Sequence, residues 1–146
     1  MTQIPVSNPR TGEVDYFFDE PTEESLLSKV ARLRKNQEIW RRLPIGERGL
    51  VLEEFATALD RHQVPLAEAL SVDTGRWTLS IMEVDALQGI TRNRIEQAKD
   101  VLAERRVTAQ GGFVSHLQVF VPYPVVTVIA PWNYPLILSF LDAVPA

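Results

Sequence analysis

At 146 residues, 45% of them hydrophobic and 23% charged, the chain has the size and composition of one ordinary globular unit. Its net charge of −4 gives no electrostatic reason to bind nucleic acid or an anionic membrane, and with no cysteine it holds no disulfide, thiolate zinc site or thiol nucleophile. The opening MTQIPVSNPRTGE has neither the basic stretch nor the apolar core of a secretory signal, so a cytoplasmic location is expected.

Residues 4–18 predict two short strands around a turn. Asn8-Pro9 and Thr11-Gly12 are turn formers, and Val14, Tyr16 and Phe18 alternate as strand residues do. A helix is expected from about Pro21-Thr22, with Glu23 and Glu24 at the positive end of its dipole. Leu26, Val30, Leu33 and Trp40 mark its buried face, while Arg32, Arg34, Arg41 and Arg42 lie among acidic residues and read as a solvated face. Pro44 suits the first position of a second helix with a Leu52, Phe55 and Leu59 stripe. Pro65 marks a third, with Leu66 and Leu70 inward and Asp73-Thr74-Gly75 at its end. A long fourth helix is expected over residues 78–105, with Leu87, Ile90, Ala98, Val101 and Leu102 near one face. Four amphipathic helices in succession predict a layer that packs against something else.

At Gly111-Gly112 the texture turns from helical to extended. Residues 113–121 are strand-like, and 125–130 form a β-branched run bounded by prolines, which predicts a parallel strand buried on both faces. Prolines 122, 124, 131, 135 and 145 interrupt the apolar stretch 117–146. A spanning helix needs about 20 uninterrupted apolar residues, so no membrane span is expected. Pro131-Trp132-Asn133-Tyr134-Pro135 reads as a turn leading into a helix over 136–143, with Pro135 at its first position. Strand, turn and helix make the first half of a βαβ unit. The expected class is α/β. It divides into a hairpin and helical layer (1–110), a strand-like segment (111–123) and a first strand–turn–helix (124–146). The uncharged, β-prone segment 125–129 is an aggregation hazard wherever its sheet is not formed.

The chemistry concentrates in residues 128–136. A buried strand that delivers its C-terminal end to a helix N-terminus is where open α/β sheets bind ligands. Between two stiffening prolines, Asn133 offers a neutral amide donor that can stabilise an oxygen gaining negative charge. On local grounds alone Asn133 reads first as a helix N-cap, and Trp132 as a core residue. His62 in a polar helix end and His116 on a strand are isolated and form no metal site.

The segment Ile129-Ala130-Pro131-Trp132-Asn133-Tyr134-Pro135-Leu136 resembles the Pro-Trp-Asn motif of the aldehyde dehydrogenase superfamily. Asn8-Pro9-Arg10-Thr11-Gly12-Glu13 resembles the family's N-terminal hairpin. Trp40, Glu47-Arg48, the Leu52/Phe55/Leu59 stripe and Asp73-Thr74-Gly75 follow in the family's order. The similarity runs through the whole chain and matches the first part of a usual member.

The resemblance implies a Rossmann-like cofactor domain, of which this chain supplies the hairpin, four helices, the start of the oligomerisation sheet and the first strand–helix unit. It implies oxidation of an aldehyde with NAD or NADP through a cysteine thiohemiacetal, in a homo-oligomer. Asn133 would donate to the oxyanion. Ile129, Ala130, Pro131 and Trp132, with Asn133, would line the nicotinamide end of the cofactor. Two departures stand out: Arg76-Trp77 where the family often has Lys-Pro, and Pro124 where it often has glycine. The nucleophilic cysteine and general-base glutamate belong to later parts of the family's sequence, so these residues alone are expected to be inactive. The alternative is a non-catalytic interaction protein that pairs with a full-length dehydrogenase through residues 113–121.

Overall fold

The computed structural model describes residues 2–146. The expected hairpin is present. β1 (Gln3–Ser7) and β2 (Val14–Asp19) pair antiparallel, with Ile4 opposite Phe18 and Val6 opposite Tyr16. Asn8 holds the turn: its side-chain oxygen accepts from Arg10 N at 2.9 Å and its carbonyl from Gly12 N at 2.8 Å.

Four helices follow: α1 (Glu23–Trp40), α2 (Ile45–Arg61), α3 (Gln63–Thr74) and α4 (Trp77–Val101). Thr22 caps α1, its hydroxyl accepting from Ser25 N at 3.2 Å, with Glu23 and Glu24 in the first turn. Pro44 stands at the N-cap of α2, one place before the expected first position. Its missing N–H is harmless at either position. Pro65 lies inside the first turn of α3, which starts two residues earlier than expected.

Gly75 ends α3 in the left-handed region at φ 72°. A Cβ there would be strained and would sit 3.2 Å from Pro9 Cγ. The Asn8–Glu13 turn and the Asp73-Thr74-Gly75 segment therefore touch, and the Tyr16 hydroxyl fastens them by donating to Asp73 Oδ1 at 3.2 Å. Partial burial, and then the Asp73 carboxylate, raise the Tyr16 pKa above its ordinary value.

α4 is the hub of the helical layer and packs against both α2 and α3. Ala56 and Leu59 of α2, Ala67 and Leu70 of α3, and Val84 and Leu87 of α4 are buried. Two hydroxyls on these faces satisfy themselves one turn back: Thr74 donates to the Leu70 carbonyl at 2.6 Å and Thr91 to the Leu87 carbonyl at 2.8 Å. Gly49 admits α4 closely, since a Cβ in its place would lie 3.0 Å from Ile95 Cγ2. At the rim Arg92 forks onto Glu53 at 2.7 Å and Asp60 at 3.0 Å, and these hydrogen bonds raise its pKa.

Several expectations need correction. The stripe of α1 is not buried: Leu26 and Leu33 are exposed, and Val30 and Trp40 only partly covered. Leu33 and Trp40 face an open apolar cleft of about 460 Å³, whose other wall is Tyr123, Val125 and Val126. The fourth helix stops at Val101, four residues short, with Val101 and Leu102 exposed. Beyond it Arg105–Thr108 forms β3, which pairs across the Gly111-Gly112 turn with β4 (Ser115–Gln118), Arg106 opposite Leu117. Extended structure thus begins before the glycine pair, and β4 is shorter than the 113–121 expected.

No strand forms over 125–130, and Ile129 is 91% exposed. A strand needs a neighbour for its ladder, and the sheets among the described residues are the two hairpins β1–β2 and β3–β4, neither of which pairs with this run. β-propensity fixes what a segment prefers, not whether its partner is at hand. The last element, α5 (Pro135–Ala143), begins with Pro135 in its first turn as the sequence predicts and packs onto α4.

Candidate functional site

The Pro131–Pro135 turn is reached from 125–130 and leaves into α5. Trp132 is 80% exposed, whereas Asn133 and Tyr134 are partly buried. The N-cap of α5 is Tyr134, at φ −144° and ψ 62°, with no side-chain cap bond of its own. Asn133 stands one residue outside the helix. The reading of Asn133 as the cap therefore fails, as does that of Trp132 as a core residue.

The cap comes from another helix. Glu83, two turns into α4, is 2% exposed, and its Oε1 accepts from both Leu136 N and Ile137 N at 2.8 Å. These are the second and third residues of α5, the donors that an N-cap side chain normally satisfies. A carboxylate at that end also meets the positive pole of the helix dipole. Glu83 Oε2 is buried without a hydrogen-bond partner among the described residues.

Arg76, at the N-cap of α4, places its guanidinium carbon 4.5 Å from the centre of the Tyr134 ring. That is a cation–π distance. Further along α5, Phe140 stacks on Phe55 of α2 with ring centroids 5.0 Å apart, and Leu136 packs against Ala67, Leu70 and Val84. The turn is thus anchored on its downstream side at three levels: a polar cap, a stacked ring and an apolar helix face.

On the upstream side Ile129, Pro131 and Trp132 are exposed and Ala130 is partly covered. Among the described residues, none hydrogen-bonds to positions 125–133. The Asn133 side-chain amide likewise has no hydrogen-bond partner among the described residues. The open cleft beside α1 contains none of residues 129–133 and is a separate feature. His62 and His116 are both exposed, and among the described residues no set of three or more His, Asp or Glu gathers as a metal site. No helix among them is long and apolar enough to cross a membrane.

Sequence reasoning missed Glu83 and Arg76. The signal for Glu83 was present: position 83 falls on the same face of α4 as Ser80, Val84 and Leu87, all buried. A carboxylate on a buried stripe needs a partner, and a helix N-terminus is one. Arg76 carried no comparable signal, since nothing in a linear sequence brings it to Tyr134.

The model of the aldehyde dehydrogenase family matches residues 1–146. A putative NADP-dependent succinate-semialdehyde dehydrogenase of Mycolicibacterium smegmatis is 31% identical over 147 residues, covering 97% of this chain and 28% of that protein. Retinal dehydrogenase 2 of Gallus gallus is 29% identical, covering 98% of this chain and 28% of its own length. Among solved structures, a putative aldehyde dehydrogenase, PutA, from Anabaena variabilis superposes with a TM-score of 0.87 at 35% identity, over 99% of this chain and 31% of that one. The chain spans about three tenths of the length of the relatives it matches. Its α/β architecture is the N-terminal portion of their fold. These 146 residues belong to the aldehyde dehydrogenase family.

Proposed function

We propose that the protein carrying this chain oxidises an aldehyde with NAD or NADP, and that Asn133 is the side chain that donates to the substrate oxygen as negative charge builds on it. One observation carries the assignment of Asn133. Its amide has no hydrogen-bond partner among the described residues, and the capping role at the start of α5 is taken by Glu83. A preorganised neutral donor held at a turn is the arrangement that stabilises an oxyanion.

The nicotinamide group fits the residues upstream of Asn133. Ile129 and Trp132 present large apolar side chains outward, and the backbone there is not consumed by hydrogen bonds among the described residues. Ile129, Ala130, Pro131 and Trp132, with Asn133, would lie against it. When bound, it supplies the hydride acceptor. Relatives point the same way without choosing between cofactors: NADP stands in the name of the Mycolicibacterium smegmatis protein, whereas a Staphylococcus aureus betaine aldehyde dehydrogenase of the same fold was solved with NAD+.

The chain has no cysteine, so the covalent step on a thiol is outside its means and residues 1–146 alone do not turn over. A cytoplasmic homo-oligomer is the setting we assign to the whole protein. The test is formation of reduced nicotinamide by the intact protein with a panel of aldehydes and each cofactor. Turnover is expected from the intact protein and none from the 146-residue polypeptide. Turnover by the short polypeptide, or none by the intact protein with any aldehyde, contradicts the proposal.

A second reading has one observation in its favour. The β3–β4 hairpin is exposed throughout, with Phe113 97% exposed at its turn. Free edges of this kind pair with other strands. In that reading the chain is a non-catalytic partner of a full-length dehydrogenase. Stable co-purification of the 146-residue polypeptide with such an enzyme favours it, and a partner-free monomer argues against it.

A further inference from the structure

The turn that bears Asn133 contains little that could hold it still. Its upstream arm has no hydrogen bond to another described residue, and the Asn133 side chain has none either. What stiffness it has comes from downstream. Pro135 fixes its own φ and narrows the conformations of Tyr134. Glu83 then ties the two N–H groups immediately after Pro135, and Arg76 rests on the ring of Tyr134. Both grips come from the N-terminal part of α4: Arg76 is its N-cap, and Glu83 stands seven positions further on.

We propose that Glu83 and Arg76 are positioning residues that hold the Asn133 amide in its donating geometry. The inference rests on the reading of Asn133 as the oxyanion donor. Glu83 acts through the backbone of Leu136 and Ile137, fixing where α5 begins. Arg76 acts through Tyr134, the residue bonded directly to Asn133. A donor displaced by about 1 Å loses about a hundredfold in rate, so a grip on the adjacent residues governs turnover without touching substrate.

A carboxylate that only stabilised α5 would behave differently, and three readouts in the intact protein separate the two. The first is amide hydrogen exchange, which needs no turnover. Glu83→Ala is expected to raise exchange at Leu136 and Ile137 by about tenfold or more while amides of α2 and α3 keep their protection. Glu83→Gln keeps an acceptor oxygen and is expected to restore most of it. Equal loss of protection across all helices, or none at Leu136 and Ile137, overturns the clamp.

The second readout is the split between kcat and KM. Glu83→Ala is expected to lower kcat about tenfold or more and leave KM for the cofactor within about twofold. The third is a double-mutant comparison: in an Asn133→Ala background the same change is expected to lower kcat no further, because both act through one group. Independent, multiplying losses overturn the positioning role. Should Glu83→Ala not fold, Arg76→Lys serves. It keeps the charge, loses the planar stack, and is expected to lower kcat about threefold in the wild-type background and not in Asn133→Ala. If Asn133→Ala itself leaves kcat unchanged, the donor reading fails and the positioning role with it, whereas the exchange pattern still reports on the clamp.

Discussion

Glu83 Oε1 and the Leu136 backbone N–H lie 2.8 Å apart, although 53 positions separate them in the chain. The bond joins the helical layer to the first turn of the last helix, next to the turn that bears Asn133. Removing the carboxylate leaves the N–H groups of Leu136 and Ile137 without their acceptor in a partly buried place. It also removes the buried, unpartnered Oε2, which offsets part of the loss. Glu83→Ala is therefore expected to lower the unfolding free energy by about 2 kcal/mol, read by urea denaturation. A change within experimental error would mean that solvent replaces the cap at no cost.

Gly75 supports a second long-range join. At φ 72° and 3.2 Å from Pro9 Cγ, it has room for neither the backbone strain nor the volume of a side chain. Gly75→Ala is expected to destabilise the protein by about 1–2 kcal/mol, seen as a lower melting temperature. Equal stability would show that the hairpin yields freely at Pro9.

Tyr16 and Asp73 make this join sensitive to alkaline pH. The phenol is neutral when protonated, and its pKa in the folded state is raised, first by partial burial and then by Asp73. A raised folded pKa means that the folded chain holds the proton more tightly than the unfolded one. The resulting stability is fully present below the unfolded value of about 10 and is lost as pH rises through the higher folded value. Tyr16→Phe is expected to remove this component of the pH dependence. Parallel stability–pH curves for wild type and Tyr16→Phe above pH 9, on the order of one unit below that value, would contradict it.

Produced as a separate 146-residue polypeptide, the chain presents Phe113, Ile129 and Trp132 to solvent, along with the β-prone run at 125–129. Such a surface binds apolar dyes and self-associates. Light scattering that rises with concentration is expected at neutral pH, and Ile129→Lys is expected to reduce it. A monodisperse solution with no dye binding would contradict the exposure described.

How far the sequence carried depended on whether the decisive interactions were local. The hairpin, the α1 cap at Thr22, the α3 stop at Gly75 and the α5 start at Pro135 are each specified by residues within a few positions of one another, and all four stand where turn and cap chemistry predicts. β3 was missed because Arg105–Thr108 has no alternating apolar pattern and is defined by its partner. The strand expected at 125–130 needed a neighbour that composition cannot reveal. At the site, the Pro-Trp-Asn run singled out the turn, yet local chemistry alone favoured a capping role for Asn133. The structure gives the cap to Glu83 instead, a residue of α4 that no local pattern connects to this turn.

The most direct measurement is kcat of the intact protein with saturating aldehyde and cofactor, comparing wild type with Asn133→Ala. Loss of one oxyanion donor lowers kcat by about 10²–10³, and cofactor affinity is expected to remain near that of wild type. A variant that turns over at the wild-type rate would contradict the role assigned to Asn133, and with it the functional meaning of the turn that Glu83 and Arg76 hold.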